Sequence, residues 1–295
     1  MKLTITGYST ALFSTWYFIE ELGLLFDAGD GVSANLLQKA RKIKHIFVSH
    51  SDRDHITGLL QIRQLNTRAG GYPFVYYPKD SGSFPAMDNF LSIFDPHTKE
   101  NIWTALGQHQ DTFIKKDIFV RSIRNEHIEA PLDVIKSLSF DVIEVKQKLK
   151  EAFKDYSKEA LQAIRLEKGT DFITEKKQQS ILSYSGDTPV RDFDRWKDSK
   201  ILIHEATFLD PSVKTNKGRK KNEHSILEEV LEMVAASKVE QLILGHFSSR
   251  YSKEQIEQAV KTLAQKHALN IPIFCVLPGE TMRDILAQTP THPSF

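Results

Sequence analysis

The chain has 295 residues, and 39 Lys and Arg stand against 38 Asp and Glu for a formal net charge of +1. That balance leaves no global field to commit the protein to nucleic acid, so any polyanion contact must come from a local patch. A single cysteine, Cys275, excludes an internal disulfide framework and a cysteine-based zinc site, and it fits a reducing, cytoplasmic setting.

The length suits one large α/β unit or two small ones. Residues 2–6 alternate like a strand and lack the apolar run of a signal peptide. Nowhere do about 18 apolar residues follow one another, so no membrane span is expected. Residues 16–19 and 22–27 read as strands, the second ending on Asp27; Gly29, Asp30 and Gly31 make a turn. A short helix over 33–42 precedes a strand over 44–49. Residues 73–77 and 113–124 add strands across a polar and aromatic connection, and 139–145 form another.

Residues 146–179 are rich in Lys, Glu and Gln, with Leu149, Phe153, Tyr156, Leu161 and Ile164 at roughly helical spacing. One or two amphipathic surface helices are expected there, as an insertion that meets a substrate or covers a sheet edge. The second half repeats a strand-to-loop pattern: 181–185 into Asp187, 200–203 into His204 and Glu205, and 241–244 into His246. Helices follow at about 224–236 and 252–267, and a strand at 271–276 ends near Pro278. Strands before helices in each half suggest two packed sheets with helices outside. No linker interrupts the chain, so residues 1–295 are expected as one domain.

The densest signal is His50, Ser51, Asp52, Arg53, Asp54 and His55, set between Ile46-Phe47-Val48 and an apolar helical run. Imidazoles and carboxylates this close repel or desolvate one another unless a cation collects them. The plainer reading is a polar loop with Asp52 or Asp54 as a helix cap, which leaves both histidines unexplained. Asp27, the 50–55 cluster, Asp187 and His246 all follow apolar strands, and strand ends can converge on one cleft. If two ions sit there, His127 is the best candidate to complete one and His246 the other. Asp187 could bridge ions about 3.5–4 Å apart.

These motifs resemble the metallo-β-lactamase superfamily, and within it the ribonuclease Z (tRNA 3′-endonuclease) branch. The matching stretches are Phe26 to Gly31, His50 to His55, Tyr184 to Thr188, His204 to Phe208, His224-Ser225, and His246 to Tyr251. The resemblance implies an αββα four-layer sandwich with two divalent metal ions. His50, Asp52 and His127 would hold one ion, and Asp54, His55 and His246 the other, with Asp187 between them. A bridging water, oriented by Asp54 and acting as hydroxide, would attack phosphorus. Glu205 and His224 resemble the pair that protonates the departing 3′ oxygen, and Arg250 could neutralise the phosphate.

Three departures stand out. The family's usual second histidine is Asp52, a harder ligand than imidazole: the family implies zinc, and Asp52 opens the alternative of manganese or another hard ion. Residues 145–179 lack the Gly/Pro-rich arm that grips tRNA, and residues 7–18 lack the loop that reads its end. Lys214, Lys217, Arg219, Lys220 and Lys221, just before His224, could hold RNA backbone phosphates or form a solvated loop. The expected activity is therefore a ribonuclease Z-like phosphodiesterase acting on RNA, with a tRNA precursor as one substrate and a homodimer as the family's assembly. The rivals are a phosphodiesterase for single-stranded DNA or a cyclic nucleotide, and an inactive metal-binding scaffold that recognises RNA.

Overall fold

The computed structural model describes residues 1–66, 73–94, 102–210 and 223–294; Lys214, Lys217, Arg219, Lys220 and Lys221 lie outside them. The first half forms β1 (Ile5–Thr10), β2 (Ser14–Ile19), β3 (Leu24–Phe26), α1 (Val32–Leu36), β4 (His45–Phe47), α2 (Arg53–Ile56) and α3 (Leu59–Leu65). It continues through β5 (Phe74–Pro78), α4 (Ser83–Phe94) and β6 (Trp103–Leu106). Next come β7 (Asp111–Lys115), β8 (Ile118–Arg124), β9 (Leu138–Leu149), α5 (Lys158–Lys168), α6 (Thr170–Ile173) and β10 (Thr174–Tyr184). The remainder is β11 (Ile201–Glu205), α7 (Leu227–Ala235), β12 (Gln241–Gly245), α8 (Lys253–Lys266) and β13 (Ile273–Cys275).

Among the described residues the strands form a six-stranded sheet, ordered β1 through β6, and a seven-stranded sheet ordered β13-β12-β11-β10-β9-β8-β7. The period-two alternation of a strand explains the layering. Tyr17 and Ile19 of β2 point between the sheets, while Trp16 and Phe18 point outward under helices. With both faces covered, β2 reads as an unbroken apolar run. Between the sheets Phe26 stacks on Tyr184 at 5.0 Å and on Phe140 at 5.8 Å. Burying each such side chain contributes about 1.5–3 kcal/mol. Residues from α1 to α4 cover Leu25, Ile46 and Val48, and α7 and α8 cover Leu202, Leu242 and Leu244. The order helix, sheet, sheet, helix is the αββα sandwich expected from the motifs. None of the described helices is long and apolar enough to cross a membrane.

Two local readings need correction and a third needs extending. The connection between residues 77 and 113 contains α4 and β6, whose mixed polar and aromatic residues hide any period. The helix expected over 33–42 breaks at Leu37, whose φ of 50° ends α1 before a 3-10 segment. Residues 146–179 carry the two expected surface helices, α5 and α6, but strands that the periodicity does not show flank them. Beyond Glu144 and before Ser183, β9 and β10 pair, among the described residues, with each other alone, from Val145↔Gln178 out to Leu149↔Thr174. They form a projecting two-stranded ribbon tipped by α5 and α6. With both faces exposed to water, its strands carry Lys, Glu and Gln and lose the alternation that would mark them.

The sheets bring the ends of several strands to one edge. The pairs β3–β4, β10–β11 and β11–β12 are parallel, so the segments after their last residues emerge on the same side. Clefts at the carboxyl ends of parallel strands are where such sheets hold ligands.

Candidate active site

From the first sheet, β4 leads through Val48 and Ser49 into the 50–55 segment. His50 and His55 are fully buried and Asp54 nearly so. Asp52 occupies the N-cap position of α2 but makes no capping hydrogen bond, which removes the cap reading. Its carboxylate instead lies 3.6 Å from His50 Nε2 and 3.7 Å from His127 Nε2, and those partners hold it well below the ordinary carboxylate range. Gly29 lets the preceding loop press close, since a Cβ there would sit 2.3 Å from the Asp54 carbonyl oxygen.

The second sheet completes the ring. His127 follows β8, Asp187 follows β10 and His246 follows β12. Asp187 Oδ2 is 3.7 Å from His50 Nε2, 3.4 Å from His55 Nε2 and 3.3 Å from His246 Nε2. Asp54 Oδ2 is 3.4 Å from His246 Nε2 and 3.6 Å from His55 Nε2. Burial alone would raise Asp187, but His246 and His55 hold it well below the usual carboxylate range. At Gly186, φ is +57° and a Cβ would meet Ser49 Cβ at 2.7 Å, so glycine allows the two sheets to close here.

The outer nitrogens of the histidines are all engaged. His55 Nδ1 donates to Asp27 Oδ2 at 2.8 Å, and His50 Nδ1 to Ser49 Oγ at 2.9 Å. His127 Nδ1 donates to the Glu223 carbonyl at 2.8 Å and His246 Nδ1 to Thr207 Oγ1 at 2.8 Å. Each ring therefore turns a lone pair at Nε2 into the cleft. The buried Nε2 atoms of His50, His55 and His127 have no hydrogen-bond partner. Orphaned imidazole nitrogens facing carboxylates, with their far sides fixed by acceptors, suit divalent metal binding. Three groups among the described residues have ligand atoms within 4.8 Å of one another: His50, His127 and Asp187; Asp54, His55 and His246; and Asp187, His224 and His246. The structure thus brings together all seven residues expected as ligands.

Beside them lies a proton-bearing pair. Glu205, at the end of β11, accepts from Thr188 N at 2.7 Å and from Thr207 Oγ1 at 2.5 Å. His224 Nδ1 is 3.1 Å from Glu205 Oε1 and 3.8 Å from Asp187 Oδ2. Burial opposes charge on His224, but the Glu205 carboxylate outweighs it and pushes the imidazole up to about 9. Arg250 is exposed at the rim; its guanidinium lies 5.7 Å from the Phe208 ring, which meets His224 edge-on. Lys217, Arg219 and Lys220 fall outside the described residues.

Four further groups support the site from behind. Asp27, taken in the sequence as one more strand-end candidate, stands behind His55 rather than beside it. Ser49, Thr207 and Tyr184 complete its surroundings and Glu205's; Thr207 and Tyr184 had a signal, lying in the motif stretches His204 to Phe208 and Tyr184 to Thr188, and Ser49 had none. The β1–β2 loop also reaches in, as Leu12 N donates to Asp54 Oδ2 at 3.0 Å.

A family model described as the Beta-lactamase superfamily domain matches residues 24–247. The chain is similar to ribonuclease Z of Bacillus subtilis, 28% identical over 249 residues, covering 77% of this chain and 78% of that one. Its fold is similar to the crystal structure of the metallo-beta-lactamase fold protein YhfI from Bacillus subtilis, with TM-score 0.60, 14% identity and coverage of 96% and 100%. The human tRNase Z short form is also similar, with TM-score 0.58, 17% identity and coverage of 95% and 98%.

Proposed function

The chain belongs to the beta-lactamase superfamily, and on that premise we propose that it is a metal-dependent hydrolase of the ribonuclease Z type that cleaves RNA phosphodiesters. The observation that carries this is one cleft holding orphaned histidine nitrogens, shared carboxylates and a separate acid pair. His50, Asp52, His127 and Asp187 would hold one divalent ion, and Asp54, His55, His246 and Asp187 the second. Such a pair lowers the pKa of water and neutralises charge developing on phosphate.

The protein's own groups supply the rest. Asp54 faces the point between His55 and His246, where it can orient a water and take its proton. Glu205 keeps His224 protonated, and His224 donates that proton to the departing 3′ oxygen. Arg250, exposed beside Phe208, meets substrate phosphate at the rim. Asp52 in place of a histidine makes the first ion's site harder, so that it would accept manganese as well as the zinc the family implies.

Cleavage of an unprocessed tRNA transcript, run beside bis(p-nitrophenyl) phosphate, tests the reading. Endonucleolytic cleavage at the 3′ trailer supports it. Hydrolysis of the small ester with the transcript untouched would defeat the RNA assignment. That second outcome has one observation in its favour: the β1–β2 loop, whose Leu12 and Phe13 are exposed, reaches Asp54 through Leu12 N. It would direct attention to another phosphodiester.

A further inference from the structure

We propose that Tyr184 is a positioning residue that sets the spacing between ligands delivered by the two opposed sheets. The inference rests on the two-ion reading of the cleft. Tyr184 closes β10, three positions before Asp187, and is buried between the sheets. Its hydroxyl crosses to the other sheet and donates to Asp27 Oδ2. The same carboxylate accepts from Ser49 N at 2.7 Å, Ser49 Oγ at 2.9 Å and His55 Nδ1 at 2.8 Å. Ser49 Oγ in turn accepts from His50 Nδ1 at 2.9 Å.

One carboxylate therefore stands behind both histidines of the 50–55 segment, directly for His55 and through Ser49 for His50. One phenol ties that carboxylate to the strand that delivers Asp187. The gaps it governs are those from Asp187 Oδ2 to His55 Nε2, 3.4 Å, and to His50 Nε2, 3.7 Å. Packing alone does not supply this tie. The Tyr184 ring is already seated by stacking on Phe26 at 5.0 Å, and its hydroxyl lies beyond that contact. Asp27 has a positive φ of 53°, so its side-chain direction is set by a backbone conformation that needs outside support.

Tyr184→Phe keeps the ring and leaves Asp27 its three other donors, so it removes the tie with little else. The test is manganese(II) binding to the stripped full-length protein, with thermal unfolding of the metal-free forms in parallel. Y184F is expected to bind manganese about 10–100-fold more weakly, the range for partners behind metal ligands, while unfolding within a few degrees of the parent. Tyr76→Phe is the control: Tyr76 stacks on Phe47 at 4.4 Å in the same layer, but its hydroxyl faces His45. It should bind like the parent.

Y184F binding indistinguishable from the parent, or an equal loss in Y76F, would overturn the proposal. Should Y184F fail to fold, Asp27→Asn is measured in its place: the proposal requires weakened binding there, and parent-like binding overturns it by showing that the carboxylate through which Tyr184 acts is not needed. A parent that takes up no manganese overturns the two-ion reading and this inference with it. A parent that binds, beside a Y184F that binds equally, overturns this inference alone.

Discussion

The first sheet supplies its share of the cleft from one hexapeptide, His50 to His55, whereas the second assembles His127, Asp187, Glu205 and His246 from the ends of β8, β10, β11 and β12. Their supports differ as well. Asp27 gathers both histidines of the hexapeptide onto one buried carboxylate. On the other side, a backbone carbonyl holds His127, and Thr207 links His246 to Glu205. A contiguous half forms with its loop; a scattered half exists only once four strands are in register. The second half should therefore be where single substitutions separate binding, chemistry and substrate contact.

The largest effect is expected where the halves meet. Asp187→Ala removes the carboxylate shared by both groups of ligands, so turnover should fall roughly 10⁴-fold or more, with a matching loss of bound metal by elemental analysis. Retained metal with retained turnover would break the comparison. His224→Ala should cost about 10²–10⁴-fold on RNA, the range for a lost proton donor, with metal content unchanged. Bis(p-nitrophenyl) phosphate sharpens this result. Its leaving group needs no proton, so H224A should hydrolyse it nearly as well as the parent.

A smaller effect is expected behind the ligands. Thr207→Val keeps the shape and removes the hydroxyl between His246 and Glu205, and should weaken ion binding about 10–100-fold. Thr207→Ser should restore it, which a loss through packing would not allow. The smallest is Arg250→Ala at the rim. It should raise KM a few-fold on RNA and flatten the salt dependence by about 0.7 in log–log slope, with kcat little changed.

Legibility followed the same division. The hexapeptide can be recognised because incompatible groups crowd one short loop between apolar runs, a pattern with few peaceful explanations. His127 and His246 carry no such local mark. Each is a lone imidazole after a strand, and only their order relative to the family's motifs singles them out. Asp27 was visible at a strand end, but its role was not, because facing a cleft and backing a ligand look alike in one dimension. The roles of Tyr184 and Ser49 are more hidden still, since their partners lie on other strands. The layering was readable from apolar runs buried on both faces. The ribbon was not: water on both sides erases the alternation by which strands are recognised.

That ribbon has a consequence of its own. The chain leaves β9 and re-enters β10 at neighbouring points, where Lys150 N donates to Ile173 O at 2.9 Å. The intervening tip packs upon itself, with Phe153 against Tyr156 and Phe172 at 5.5 and 5.8 Å. A tip joined at two adjacent stems behaves like a plug in a socket, open to trimming or exchange for another sequence. The catalytic edge, at the opposite end of the same strands, would keep its arrangement while whatever the tip touches is replaced.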